Sequence, residues 1–220
     1  MKTLDTAINH IFIFCDNHDE VVQELLDFGF IEGSNRVHPN QGTRNRKFYF
    51  SNFYLEILWV HNQDEVTSTL TSPTKLYERS LYSSNGYSPF GICLTERRED
   101  DIFFQNSLVY KPSYLPESMV IEVITNDDTP SLPWTFRWKT DSIFTDKSEY
   151  VGHDNGITKL TKVSFKLPKV ENTIPYIEHF MDDETLDFED GKCISLKLEF
   201  DNGGAKRKKV FETLPLLIEY

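Results

Sequence analysis

Cysteine is scarce in this chain, with 3 in 220 residues, and no two form a Cys-x-x-Cys pair. Cys15, Cys93 and Cys193 are odd in number and far apart, so neither a zinc ribbon nor a thioredoxin-type motif is available. No Asn-x-Ser/Thr sequon occurs either, and a reducing, cytoplasmic setting fits both absences. No apolar run reaches the roughly 18 residues of a membrane span, and the N-terminus has no signal-peptide core. Basic side chains are also in deficit: 23 Lys and Arg stand against 35 Asp and Glu, a net charge of −12. That balance argues against nucleic acid and membrane as partners, since both ask for a basic face. The one basic run, Lys206-Arg207-Lys208-Lys209, follows Asp201-Asn202-Gly203-Gly204 and reads as a solvated hairpin edge where lysines block strand addition. No Gly-x-Gly-x-x-Gly follows a strand, no Walker loop exists, and no Ser-His-Asp or Cys-His arrangement announces a nucleophile.

Aromatic surface, in contrast, is plentiful. With 17 Phe, 10 Tyr and 3 Trp, disorder is excluded as the main state. A chain of this length buries roughly 70% of the surface its unfolded form exposes and folds without staples.

The first 60 residues read as strand, helix and three strands. Ala7 to Phe14 is a β-rich run with Ile8, His10, Phe12 and Phe14 on one face and Ile11 and Ile13 on the other. Asn17 to Glu20 is a polar helix start, Val21, Val22, Leu25 and Leu26 repeat at helical spacing, and Gly29 is the stop. Strands are expected at Phe30–Val37, Arg46–Phe50 and Phe53–Val60, with a polar loop from Pro39 to Asn45. Residues 61–86 read as a connection with one short helix near Lys75–Tyr82. The order then recurs: strands at Ser88–Thr95, Met119–Thr125 and Pro133–Lys139, with a helix over Arg97–Leu108. It recurs again as a strand at Thr158–Leu167, a helix at Val170–Met181, a hairpin of Cys193–Phe200 with Lys206–Glu212, and a last strand from Leu214. The expected divisions are 1–61, 62–86, 87–157 and 158–220, all within one compact domain.

Particular residues carry a likeness to a known family. They are Asn9-His10-Ile11-Phe12-Ile13-Phe14, Leu26-Asp27-Phe28-Gly29-Phe30, His38 to Asn45, and Tyr54-Leu55-Glu56-Ile57-Leu58. Ser88-Pro89-Phe90-Gly91-Ile92, Pro130 to Trp138 and His153-Asp154-Asn155-Gly156 add to it. Over residues 5–165 the chain resembles the vicinal oxygen chelate superfamily of glyoxalase I and the extradiol dioxygenases, and within it a bacterial glyoxalase-like branch. The resemblance implies an α+β fold of paired βαβββ modules, with curved mixed sheets around a concave cavity and a C-terminal βαβββ-like addition. It also implies a divalent metal (zinc, nickel, manganese or iron) held by a His or carboxylate on the first strand and a Glu on the last strand of each module. His10 and Glu56 match those positions in the first module, as metal ligands and catalytic groups. In the second module the positions fall on Phe90 or Gly91 and near Arg137, none of them a ligand at neutral pH. His38 or His153 would have to complete the set from loops.

Each candidate has a plainer alternative. His10 is a ligand or base, or else a core imidazole bonded to a carbonyl. Glu56 is functional, or else ion-paired with Arg46 or Arg137. Thr43 and Asn45 receive a ligand from the polar loop, or else hold that loop by local bonds. Arg137 clamps a carboxylate beside Trp138, or else stacks outward on aromatic surface. His153 faces the ligand, or else serves a turn. Tyr54 shares the Glu56 face and joins the substrate-binding set. The expected function is binding of a small carbonyl- or carboxylate-bearing metabolite in the cavity, as a metal-dependent lyase, isomerase or dioxygenase. A metal-free sequestration protein is the alternative, and a homodimer built on the C-terminal strands is a third reading.

Overall fold

The computed structural model describes residues 6–95, 102–140, 149 and 152–220. Two sheets hold nearly all of the regular structure. The first module runs β1 (Ile8–Phe14), α1 (His18–Asp27), β2 (Asn35–His38), β3 (Thr43–Tyr49) and β4 (Tyr54–Val60). After the short helices α2 (Gln63–Val66), α3 (Leu76–Ser80) and α4 (Tyr82–Asn85) come β5 (Phe90–Leu94), β6 (Leu108–Tyr110), β7 (Met119–Ile124) and β8 (Trp134–Thr140). These eight strands form one sheet in the order β2-β3-β4-β1-β5-β8-β7-β6. In each half the first strand pairs parallel with the last, and the two halves join antiparallel through β1 and β5. This is the paired-module α+β architecture expected above, curled into a half-barrel.

Alternation along β1, β4 and β8 sorts side chains to two faces. Phe12, Phe14, Leu58, Trp134 and Phe136 cluster on the concave face. Ile11, Ile13, Leu55 and Ile57 face the other way, against Val21, Val22 and Leu25 of α1. Ile8 departs from the expected face: the β1–β5 register shifts between Ile8 and His10, which sends Ile8 to the α1 side and keeps His10 on the concave side. Gly91 sits opposite Phe12, and the ring of Phe12 lies 2.1 Å from where a Cβ on Gly91 would stand. Only glycine lets that ring lie across the sheet at this point.

The C-terminal strands β9 (Leu160–Leu167), β10 (Leu186–Asp190), β11 (Ser195–Phe200), β12 (Lys208–Val210) and β13 (Leu216–Glu219), with α5 (Pro175–His179), make the second sheet, ordered β10-β9-β11-β13-β12. The expected hairpin is absent, because β13 lies between β11 and β12. The basic run does fall on the sheet edge, at β12. This sheet shares one apolar core with the convex face of the first, and Phe165 packs on Phe90 with ring centroids 5.7 Å apart. A buried Phe contributes about 1.5–3 kcal/mol, so this shared face fuses the two sheets.

Several local expectations change. The expected Arg97–Leu108 helix lies partly outside the described residues; 102–106 are turns, and Leu108 opens β6. The Val170–Met181 helix shrinks to five residues because Ile174, preceding Pro175, is held extended. Three short α-helices and a 3-10 turn at Ser72–Thr74 occupy 61–86 rather than one helix. Asp183 accepts the N–H groups of Thr185 and Leu186 at 2.8 and 2.9 Å and that of Thr6 at 2.8 Å. Among the described residues no helix is long and apolar enough to cross a membrane.

One carboxylate ties α1 to the second sheet. Glu24 accepts the backbone N–H of Glu212 and of Thr213 at 3.1 Å and pairs with Lys209 at 2.9 Å. Desolvation pushes its pKa up, but the bonds from Lys209, Thr213 and the two backbone groups outweigh it and hold the carboxyl near 2. A depressed carboxyl stabilises the fold above its unfolded value and loses that contribution as pH falls through the folded one. Glu24→Gln is expected to cost about 1–3 kcal/mol at pH 7 in urea unfolding, with the difference from wild type shrinking between pH 4.5 and 2. A constant difference across that window would show that the charge carries none of it.

Candidate functional site

The concave face of the first sheet holds a cavity of about 220 Å³. Its inner wall is Phe12, Leu58, Trp134, Phe136 and Trp138, and its polar side is His10, Arg36, His38, Asn45, Lys47 and Glu56. Tyr114, in the loop between β6 and β7, closes one side. An apolar cavity of about 150 Å³ takes a benzene, so this one suits a single ring or a short chain with a polar head.

His10 and Glu56 meet at the cavity wall because β1 and β4 are parallel neighbours, with His10 paired to Tyr54 and Phe12 to Glu56. His10 Nε2 lies 3.6 Å from Glu56 Oε2, and both side chains are more than nine-tenths buried. The His10 ring stacks on Tyr54 at 4.3 Å, with Phe136 and Trp138 at 5.3 and 5.5 Å. Nδ1 of His10 is 2.8 Å from Asn9 Oδ1, an acceptor, so the neutral ring carries its proton there and presents a bare Nε2 to Glu56. Burial first, then the charges of Lys47 and His38, push the His10 pKa well below its ordinary value. Burial raises that of Glu56 against the Asn45 bond and the charges of Lys47 and Arg36. Both shifts favour the uncharged forms.

A chain of hydrogen bonds orients this pair. Asn45 accepts the Arg36 N–H on Oδ1 at 2.7 Å, which turns its Nδ2 inward to donate to Glu56 Oε1 at 2.5 Å. The same Nδ2 stands 3.5 Å from His38 Nε2, so that nitrogen is an acceptor and His38 donates from Nδ1 to Thr43 Oγ1 at 2.9 Å. Gln41 donates to Thr43 Oγ1 at 2.7 Å and accepts from the Tyr114 hydroxyl at 2.7 Å. Burial, then the charges of Arg36 and Lys47, drop the His38 pKa to about 3.

The structure thus brings His10, Glu56, His38, Thr43, Asn45, Tyr54 and Trp138 together at or beside the cavity. Thr43 and Asn45 lie on β3 rather than in a loop, because the turn ends at Gly42. Arg137 points away: on β8 it alternates with Phe136 and Trp138, pairs with Glu122 at 2.7 Å and lies over the Phe104 ring. His153 is also remote, packed between Phe30 and Phe50 with Nδ1 accepting the Ile31 N–H at 2.9 Å. Arg46 pairs with Glu32, so neither arginine neutralises Glu56. Sequence reasoning missed Lys47, Arg36, Gln41 and Tyr114. Lys47 was within reach, since the tight Ser51-Asn52 turn sets Tyr49 opposite Tyr54 and therefore Lys47 opposite Glu56. Tyr114 comes from a loop with no such signal.

A divalent ion does not fit the residues present. Metal sites of this kind need three or four donors, and among the described residues no three His, Cys, Asp or Glu side chains converge. In the second module the Phe12 ring covers Gly91, and Phe136 and Trp138 close on His10. Cys93 pairs with His10 across β1–β5, but burial raises its pKa well above the ordinary value and keeps the thiol protonated.

The strand order and the cavity on the concave side are those of the paired-module α+β fold that the sequence resemblance implies. No family model matches the chain, and no curated protein matches it. Solved structures do match. A hypothetical protein from Staphylococcus aureus aligns over 98% of this chain and 99% of its own, at 17% identity and a TM-score of 0.62. A Streptomyces coelicolor methylmalonyl-CoA epimerase variant with 2-nitronate-propionyl-CoA covers 64% of this chain and 99% of its own, at 19% identity and 0.43. The Mycobacterium tuberculosis methylmalonyl-CoA epimerase covers 64% and 93%, at 12% identity and 0.42. The likeness to the Staphylococcus aureus protein is one of fold alone, and the two epimerase matches, at TM-scores of 0.43 and 0.42, carry no argument.

Because the Asn45 bond favours the charged carboxyl, its loss raises the Glu56 pKa further. In ¹³C-carboxyl NMR, Glu56 is expected to titrate above 4.5, and higher still in Asn45→Ala. An equal or lower midpoint in the variant would contradict the orientation given to Asn45.

Proposed function

We propose that the protein binds a small carbonyl- or carboxylate-bearing metabolite in the concave cavity without a metal ion. The observation that carries this reading is the buried His10–Glu56 pair, set with Asn45 into a wall that is otherwise aromatic. Polar groups kept in an apolar wall at a desolvation cost are the usual means of orienting a ligand's polar atoms. Burial favours the protonated form of Glu56, in which it donates a hydrogen bond to a ligand oxygen, while His10 Nε2 accepts one. Both stand at a single point, so proton transfer next to a carbonyl is chemistry the pair can perform.

A glyoxalase-like, metal-dependent lyase, isomerase or dioxygenase is the rival. It draws on the 3.6 Å approach of two side chains that are both capable ligands. Elemental analysis of protein purified without a chelating tag, then supplemented with zinc, nickel, manganese and iron, separates the two. The expected result is less than a tenth of an ion per chain, with Glu56→Ala no different. Near one ion per chain, lost in His10→Ala and in Glu56→Ala, would establish the rival.

A further inference from the structure

Two cations line this cavity, and among the described residues no carboxylate pairs with either. Lys47 stands directly opposite Glu56 across β3–β4, and its Nζ lies 5.4 Å from the Tyr54 ring centroid and 3.4 Å from the Tyr49 hydroxyl. Arg36 lies over the Tyr114 ring at 5.0 Å and donates from Nη2 to the Tyr114 carbonyl at 3.1 Å. Among the described residues neither pairs with a carboxylate within 4 Å. Arg46, Arg137, Lys139, Lys162, Lys197 and Lys209 do, and what sets Lys47 and Arg36 apart from other cations without such a partner, such as the exposed Arg207 and Lys208, is their place in the cavity lining. The contrast is sharper because the chain as a whole carries a charge of −12. In a net-acidic protein, two such cations beside a pocket make a local positive field that favours an anion there. Glu56, the one carboxyl facing them, is already committed to Asn45 and closes on His10.

The geometry points to Lys47 and Arg36 as the anchor of an organic carboxylate, whose apolar body lies against Trp138, Phe136 and Phe12. Lys47 supplies a mobile point charge, and Arg36, held by Tyr114, a planar set of donors at the cavity edge. The apolar wall selects a ring or short hydrocarbon rather than a polyanion, and the volume of about 220 Å³ sets its size. The inference rests on the cavity being the binding site, and it adds that charge, not the carbonyl, decides which ligand enters.

Benzoate and benzamide separate the two ideas, having one shape and differing in charge. Binding is followed through the indole N–H signals in ¹H–¹⁵N spectra: Trp134 and Trp138 line the cavity, while Trp59, stacked on His18, lies outside it and serves as a control. The expected result is that benzoate shifts Trp134 and Trp138 but not Trp59, and binds at least tenfold more tightly than benzamide. In Lys47→Met, which keeps the hydrocarbon stem, benzoate weakens at least fivefold and benzamide is unchanged; Arg36→Met behaves likewise. If both probes bind the cavity equally in the wild-type protein, the anchor is overturned and the cavity reading survives. If neither shifts Trp134 or Trp138, the binding-site reading falls and the anchor with it. The wild-type comparison needs no variant, so a misfolded substitution does not blur the result.

Discussion

A carboxyl group taken out of water in the wall of a curved sheet is the constraint around which this cavity is organised. Glu56 sits between Tyr54 and Leu58 on β4, and strand alternation puts it on the concave side. A buried carboxyl must be neutral or hydrogen-bonded. Here it is bonded by Asn45, whose own orientation is fixed by the Arg36 backbone, and it faces the unprotonated nitrogen of His10. Each of these contacts exists because neighbouring strands are in a particular register. A one-residue slip of β3 against β4 would turn Asn45 and Lys47 to the far side and leave Glu56 alone.

The two halves of the eight-stranded sheet share a topology and divide the work. The first contributes the polar groups, and the second contributes Trp134, Phe136, Trp138 and Ile121 as an apolar wall. On the convex side stand α1 and the C-terminal sheet, which meets the second half at Phe90–Phe165 and the first at Phe50–Phe200. Glu24 and the Phe90–Phe165 contact bind that sheet to the rest. The cavity floor is therefore backed on its far side by packed structure, which keeps the strands bearing His10 and Glu56 rigid.

The architecture and half of the site were legible in the sequence, and the reason is periodicity. Strand alternation alone placed Tyr54, Glu56 and Leu58 on one face and paired His10 with Phe12, all as observed. Alternation also had the means to place Arg137 correctly, since it cannot share a face with Trp138; the adjacency of Arg137 to two aromatics in sequence suggested a clamp that the backbone does not make. His153 likewise belongs to a loop whose path the pattern does not encode. Loop residues such as Tyr114 reach the site through tertiary closure, a long-range event without a local signature. The failed helix at 170–181 has a local cause that was visible, the extended residue required before Pro175.

The reading of the site as a metal-free pair depends on His10 presenting a bare Nε2 to Glu56, and the nitrogen shifts of the His10 ring report on that atom. Long-range ¹H–¹⁵N spectra at pH 7 distinguish a bare imidazole nitrogen from a protonated or metal-bound one. The account predicts a neutral ring, protonated at Nδ1 and bare at Nε2, unchanged when a chelator is added. A doubly protonated ring at pH 7, or an Nε2 signal that moves on chelation, would contradict it.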